Sequence, residues 1–277
     1  MLRRIGGRQN PSIKRAARLQ KKSYRRERGL FVTEGLDLLL SAEEAGRTPV
    51  EVLVREDLVD VLPGRLLKLA DEGGLEIGVC DAETLSLAGS LGGASDVVAV
   101  FPLPSWSLAD VPLAESVTVL LCGVGDPGNV GTVVRGAVAF GAAAVMCTPG
   151  TADPYGSKAV RAGMGAQFLV PVVPEVRPED LEARIAAEER RGNPVPRLVA
   201  ADPRGGVDSR ELGRLNGGSV LVLGSERGGL PTFSREVTRV AVRQVRFDSL
   251  NVAMAATIML YELAAEPSGK GVEGLLA

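Results

Sequence analysis

Arg239–Glu266 reads RVAVRQVRFDSLNVAMAATIMLYELAAE, and the architecture of the second half of the chain turns on it. Val240–Val245 has the composition of a short strand. Asp248-Ser249-Leu250-Asn251 makes a polar turn, and Leu250–Ala265 follows as a helix with almost no polar face. A helix apolar on every side must be buried on every side. That calls for its own sheet on one side and a second subunit on the other, so a homodimer is expected. Asp248 or Ser249 is suited to cap the helix. Asn251 falls in its first turn, an amide without an obvious packing duty among Val252, Ala253 and Met254.

Two earlier stretches end in similar polar turns. Ser116–Val124 (SVTVLLCGV) is a continuous apolar run, as expected of a strand covered on both faces of a parallel sheet. It enters Gly123-Val124-Gly125-Asp126-Pro127-Gly128-Asn129-Val130-Gly131, and the spacing predicts a helix over Thr132–Phe140 carrying the lone charge Arg135. A second buried strand, Val220–Leu223, opens into Gly224-Ser225-Glu226-Arg227-Gly228-Gly229. Glycine at such a strand end lets a ligand approach the backbone. Further strands at Ala143–Cys147, Phe168–Val173 and Arg197–Ala201 alternate with helices at Ser157–Ala166 and Pro178–Arg191. This alternation implies a mostly parallel α/β sheet over 116–266, with its ligand at the carboxyl ends of the strands.

Gly123, Gly125 and Gly128 match GxGxxG, a dinucleotide fingerprint. Pro127 and Asn129 interrupt the helix opening which that motif needs, so the helix is expected to begin no earlier than Gly131. No acid closes the second strand to hold a ribose. A nicotinamide enzyme is the weaker reading.

Residues 1–101 form a smaller α/β unit. Its strands are expected at Phe31-Val32, Val50–Arg55, Glu76–Cys80 and Asp96–Phe101, and its helices from Asn10 to Tyr24, Leu36–Ala45, Leu58–Asp71 and Ala82–Leu87. Pro102, Pro104 and Pro112 mark 102–115 as a linker, and 267–277 reads as a tail. Residues 1–28 hold eleven basic side chains against the single acid Glu27, a charge of +10 in a chain whose total is −2. A basic head on an acidic body points to a phosphate-rich partner. Lys14, Arg18, Lys21, Lys22, Arg25 and Arg26 are its candidate RNA contacts, spaced by Ile13, Ala16, Ala17 and Leu19 so that part of the head is helical.

Three cysteines, odd in number and far apart, suit neither disulfides nor zinc and fit a reducing cytoplasm. The chain has no histidine, which excludes Ser–His triads, Cys–His pairs and histidine metal sites. No apolar run reaches membrane-spanning length, and Met1–Asn10 lacks the hydrophobic core of a signal peptide.

Asn129-x-Gly131-x-x-x-Arg135 with Ala139-Phe140-Gly141, Leu223-Gly224-x-Glu226-x-x-Gly229, and Ser249-Leu250-Asn251-Val252 resemble, in this order, the three motifs of the SpoU/TrmH family. These are S-adenosylmethionine-dependent RNA ribose 2′-O-methyltransferases of the SPOUT superfamily. Asn10-Pro11 with Lys14, the basic run Leu19–Arg28 and Phe31-Val32-x-Glu34-Gly35 resemble the family's ribosomal-protein-like substrate-binding domain. The resemblance implies a catalytic sheet closed by a deep trefoil knot, which topology rules alone would reject. It implies a methyl donor held by backbone groups of Gly224, Ala241, Arg243 and Leu250, and Asn129, Arg135, Glu226, Ser249 and Asn251 as catalytic residues without a metal. It favours ribosomal RNA over tRNA. Where the family has Ile-Pro-Met-x-Gly, this chain has Ala241-Val242-Arg243-Gln244-Val245, and Ala253 replaces a common small serine. That departure keeps open a non-catalytic knotted RNA-binding protein with impaired binding of the methyl donor.

Overall fold

The computed structural model describes residues 2–90, 96–114, 116–214, 217–225, 228–246 and 249–264. The chain divides into two compact units, Met1–Ser105 with Asp153–Leu169, and Trp106–Ala152 with Val170–Ala277. The tail 267–277 lies outside the described residues.

The first unit runs β1 (Leu2–Arg4), α1 (Pro11–Arg18), α2 (Lys22–Arg28), β2 (Leu30–Glu34), α3 (Leu36–Glu44), β3 (Glu51–Arg55), α4 (Gly64–Asp71), β4 (Glu76–Cys80), α5 (Ala82–Ser86) and β5 (Val97–Pro102). Its five strands form one mixed sheet in the order β1-β4-β3-β5-β2. Asn10 caps α1, its side chain accepting from Ser12 N, with Pro11 at the first helical position. The single helix expected from Asn10 to Tyr24 is broken at Leu19–Lys21. In one straight helix Leu19 would sit about 120° round from Ile13. The break instead brings Ile13, Ala16, Leu19 and Tyr24 into one core. The helix expected over Leu58–Asp71 is likewise split, a 3₁₀ turn at Glu56–Val61 preceding α4. Pro63 between them has no amide hydrogen with which to continue the first turn.

The second unit opens with β6 (Val117–Cys122), α6 (Pro127–Ala139) and β7 (Ala144–Cys147). Asp153–Leu169, with α7 (Ser157–Ala162), then belongs to the first unit. There Tyr155 and Phe168 pack on Phe31 at ring separations of 5.4 and 5.7 Å, and Phe168 lies 4.8 Å from Phe101. Drawing Phe168 into that cluster ends the expected Ser157–Ala166 helix early and shortens the expected Phe168–Val173 strand.

The chain re-enters the second unit as β8 (Val172–Val173), α8 (Pro178–Arg190), β9 (Arg197–Ala201), β10 (Val207–Asp208), β11 (Ser219–Gly224), β12 (Val237–Ala241) and α9 (Val252–Leu263). The seven strands lie in the order β10-β12-β9-β11-β6-β7-β8, each neighbouring pair parallel. One face packs Leu120, Met146, Val220 and Val222 against Leu181 and Ile185 of α8, with Trp106 alongside. α6 and α9 are in contact; a Cβ at Gly136 would stand 3.7 Å from both Leu260 and Thr257, so a small residue permits this approach. β12 begins and ends earlier than the expected Val240–Val245, because Val237–Val240 pair with Leu198–Ala201 of β9. Val242–Val245 have left the sheet, and Val245 is 91% exposed. Among the described residues no helix is long and apolar enough to cross a membrane.

Candidate active site

The carboxyl ends of β6, β9, β11 and β12 and the start of α9 gather the polar residues of the second unit. α6 begins at Pro127, five residues before the expected start at Thr132. Asp126 is its N-cap, Oδ1 accepting from Asn129 N at 2.8 Å, and Pro127 supplies a pre-set first turn. Asn129 thus sits within the first helical turn rather than in a loop. Arg135 projects from the same helix two turns further on. Its side chain is exposed.

Asn251, expected inside the first turn of α9, is instead its N-cap. Its Oδ1 accepts from Ala253 N at 2.9 Å and, more weakly, from Met254 N at 3.4 Å. Its Nδ2 donates to Asn129 Oδ1 at 3.0 Å. One amide therefore starts α9 and fastens it to the start of α6. Ser249 is exposed just ahead of this cap; Asp248, the other expected cap, lies outside the described residues.

At the end of β11 the chain turns back on itself. Gly229 N donates to Ser225 O, and Gly228 N to Ser225 Oγ, both at 2.9 Å. A side chain at Gly224 would run into Gly229, whose carbonyl carbon would lie 2.6 Å from the new Cβ. Only glycine fits there. Glu226, within this turn, lies outside the described residues. Gly123, at φ +64, ends β6 with its N–H shared at 3.1 Å between the hydroxyls of Thr148 and Thr151.

A cavity of about 1130 Å³ opens between the ends of β9, β11 and β12 and the start of α9. Gly224, Ala241, Arg243 and Leu250, the four positions expected around the methyl donor, all line it, as does Ser249. Val242 and Gln244 complete a wall from the run that departs from the family pattern, so that run bounds the space without filling it. Asp202 at the end of β9 also faces the cavity. Its carboxylate accepts from Arg204 N at 2.9 Å and from Arg239 Nη1 at 2.7 Å. The Arg204 amide first, and Arg239 after it, hold this carboxyl below its ordinary range despite burial. Asp126, Thr148, Thr151 and Asp202 were not singled out from sequence. For Asp126 the signal was present, since Asp-Pro is a cap followed by a first helical residue.

The basic head lies in the first unit. Lys14, Arg18, Lys21 and Arg26 are exposed and Lys22 half-exposed; Arg18 stacks its guanidinium 4.1 Å above the Tyr24 ring. Arg25 is the exception among the expected RNA contacts. It is 4% exposed and buried against Asp153 Oδ2, with Nη1 donating to Leu19 O at 2.7 Å. Its charge is neutralised internally, so it is a structural residue.

A family model described as the SpoU rRNA Methylase family matches residues 116–261, and one described as an MRM3-like substrate binding domain matches residues 10–82. The chain is 27% identical over 265 residues, 95% of its own length and 99% of the relative's, to the 23S rRNA (guanosine(2553)-2'-O)-methyltransferase RlmP of Bacillus subtilis (strain 168). Among solved structures it is similar to an AdoMet-bound rRNA methyltransferase from Sinorhizobium meliloti, with TM-score 0.79 and 30% identity, covering 95% of this chain and 97% of that one. It is also similar to the SpoU methyltransferase AviRb from Streptomyces viridochromogenes in complex with AdoMet, with TM-score 0.79 and 26% identity, covering 92% and 97%.

Proposed function

The chain belongs to the SpoU rRNA methylase family, and on that premise we propose that it transfers a methyl group from S-adenosylmethionine to a ribose 2′-hydroxyl of ribosomal RNA. The observation that carries this reading is the convergence of Gly224, Ala241, Arg243 and Leu250 on one cavity. Its volume is ample for a cofactor-sized ligand, for which about 300–1,000 Å³ is usual. Bound there, S-adenosylmethionine supplies an electrophilic methyl carbon activated by its sulfonium.

The protein's part is then alignment and charge. The ribose oxygen must be held in line and must lose its proton as it attacks. Arg135 is a poor base, since a guanidinium keeps its proton below pH ~12. Its exposed position on α6 suits it to anchor the RNA phosphate and to stabilise the developing oxyanion. Asn251 orients Asn129 through their 3.0 Å hydrogen bond, and Ser249 offers a hydroxyl at the cavity edge. The lining of the cavity by 241–244 supports the enzymatic reading over a non-catalytic knotted RNA-binding protein. Arg135→Ala is expected to abolish 2′-O-methylation of ribosomal RNA while calorimetry shows binding of the methyl donor nearly unchanged. Retained activity would remove Arg135 from this role.

The same reading includes the knotted path, in which the chain beyond β12 threads back to α9, and a homodimer in the cytoplasm. Met254 and Tyr261 on α9 are 56% and 65% exposed, and Phe140 of α6 lies edge-on to Tyr261 at 5.9 Å. This supports an apolar face covered by a second copy. A light-scattering mass of one chain at all concentrations would contradict it.

A further inference from the structure

The described residues around the cavity mouth carry more positive charge than the methyl donor requires. The charged residues lining the cavity, among those described, are Arg204, Arg239 and Arg243 against the single acid Asp202. S-adenosylmethionine is itself a net cation, its sulfonium and ammonium outweighing one carboxylate. Among the described residues the rim has an excess of two positive charges, which the donor's own charge does not call for and which attracts a polyanion.

The rim is built rather than incidental. The turn Asp202–Gly205 is clamped onto β12, with Asp202 N donating to Val240 O at 3.0 Å and Gly205 N to Asp202 O at 2.8 Å. A Cβ at Gly205 would lie 2.9 Å from the backbone of Arg239 and Val240, so only glycine allows this closeness. Asp202 holds Arg239 in place at 2.7 Å and is itself 7% exposed. The arginine side chains nevertheless face water, Arg204 being 92% and Arg239 62% exposed. Nearby Asp208 is engaged by Arg210 at 2.7 Å, and its carboxyl is held far below the ordinary range by Arg210 first, with Arg243 adding to the effect.

We propose that Arg204, Arg239 and Arg243 form a phosphodiester-binding rim, a second RNA contact on the parallel-sheet unit in addition to the N-terminal basic head. The proposal rests on the methyltransferase reading, because it makes the cavity mouth the place where the RNA backbone must lie. A rim of exposed guanidiniums on a rigid turn positions the strand without reading its bases.

The test is fluorescence anisotropy of a labelled single-stranded oligouridylate, titrated across a range of salt, beside calorimetry with S-adenosylmethionine. The proteins compared are the natural chain, Arg204→Gln, Arg239→Gln and the double variant. Each lost phosphate contact on a single strand is expected to flatten the log–log salt slope by about 0.7 and to weaken binding roughly fivefold at about 0.1 M salt. The double variant should lose both contacts, with affinity for the methyl donor unchanged. An unchanged slope in both single variants overturns the proposal. So does a fall in affinity for the methyl donor without a change in slope, which would assign the arginines to its carboxylate. If Arg239→Gln unfolds by stranding Asp202, Arg204→Gln alone decides. Failure of the natural chain to bind the methyl donor, with the slope changes intact, would instead sink the enzymatic reading and leave the rim standing.

Discussion

Replacing Asn251 with alanine removes two interactions at once, and they can be separated. Loss of the N-cap of α9 costs about 1 kcal/mol. The bridge to Asn129 joins an exposed side chain to a partly exposed one, which places it near 0.5 kcal/mol, the low end for a hydrogen bond. Asn251→Ala should therefore cost about 1.5 kcal/mol and Asn129→Ala about 0.5. The double variant should again cost about 1.5, because the bridge is lost only once, a coupling of about 0.5 kcal/mol. For a unit of this size the larger change lowers Tm by roughly 3–6 °C. Asn251→Asp keeps the acceptor and should lose little of the cap. Trp106, the only tryptophan of the chain, packs against the core of the second unit, so urea unfolding followed by its fluorescence reports on the right structure. Equal costs for Asn251→Ala and Asn129→Ala would show that the cap stabilises nothing. Strictly additive costs would show that the two amides are not coupled.

Two further predictions concern stability. Arg25→Ala should destabilise the first unit by about 3 kcal/mol in denaturant titrations, because it leaves the half-buried Asp153 carboxylate unpaired; a change below ~1 kcal/mol would mean the pair behaves as a surface one. Burial pushes the Cys122 thiol from an ordinary 9.0 up to about 12, and burial with the nearby Asp81 charge pushes Cys80 to about 11. The folded state disfavours both thiolates, so this contribution is complete below about pH 9 and is lost as pH rises through the folded values. Thermal scans should show Tm falling over that window, and Cys122→Ala with Cys80→Ala should flatten the decline; an unaltered decline would refute the assignment.

The residues that were legible from sequence are those whose type is chemically singular. Gly224, Asn129 and Asn251 stand out because each is costly or idle where it sits unless geometry demands it. The second sheet was legible because its strands are continuously apolar. Boundaries failed where a local signal was outweighed: Asp126-Pro127 is a helix start, but the surrounding glycines argued for a longer loop. Strands β1 and β10, three and two residues long, are too short to show any periodicity. The burial of Arg25 depends on Asp153, 128 positions further along the chain. No pattern within the basic head could distinguish it from its neighbours.

Asp153–Leu169 leaves the parallel-sheet unit after β7 and returns at β8, and in between it belongs to the other unit. This excursion has a consequence for inheritance. A recombination event that replaced only residues 1–105 would leave Tyr155 and Phe168 without Phe31 and Phe101, and Asp153 without Arg25. A new substrate-recognition half can therefore be acquired only if two separate lengths of gene are exchanged together, or if the newcomer already accepts this graft. Modular though the two units are in space, they are linked in descent, and variation in one must be matched by variation inside the other's coding sequence.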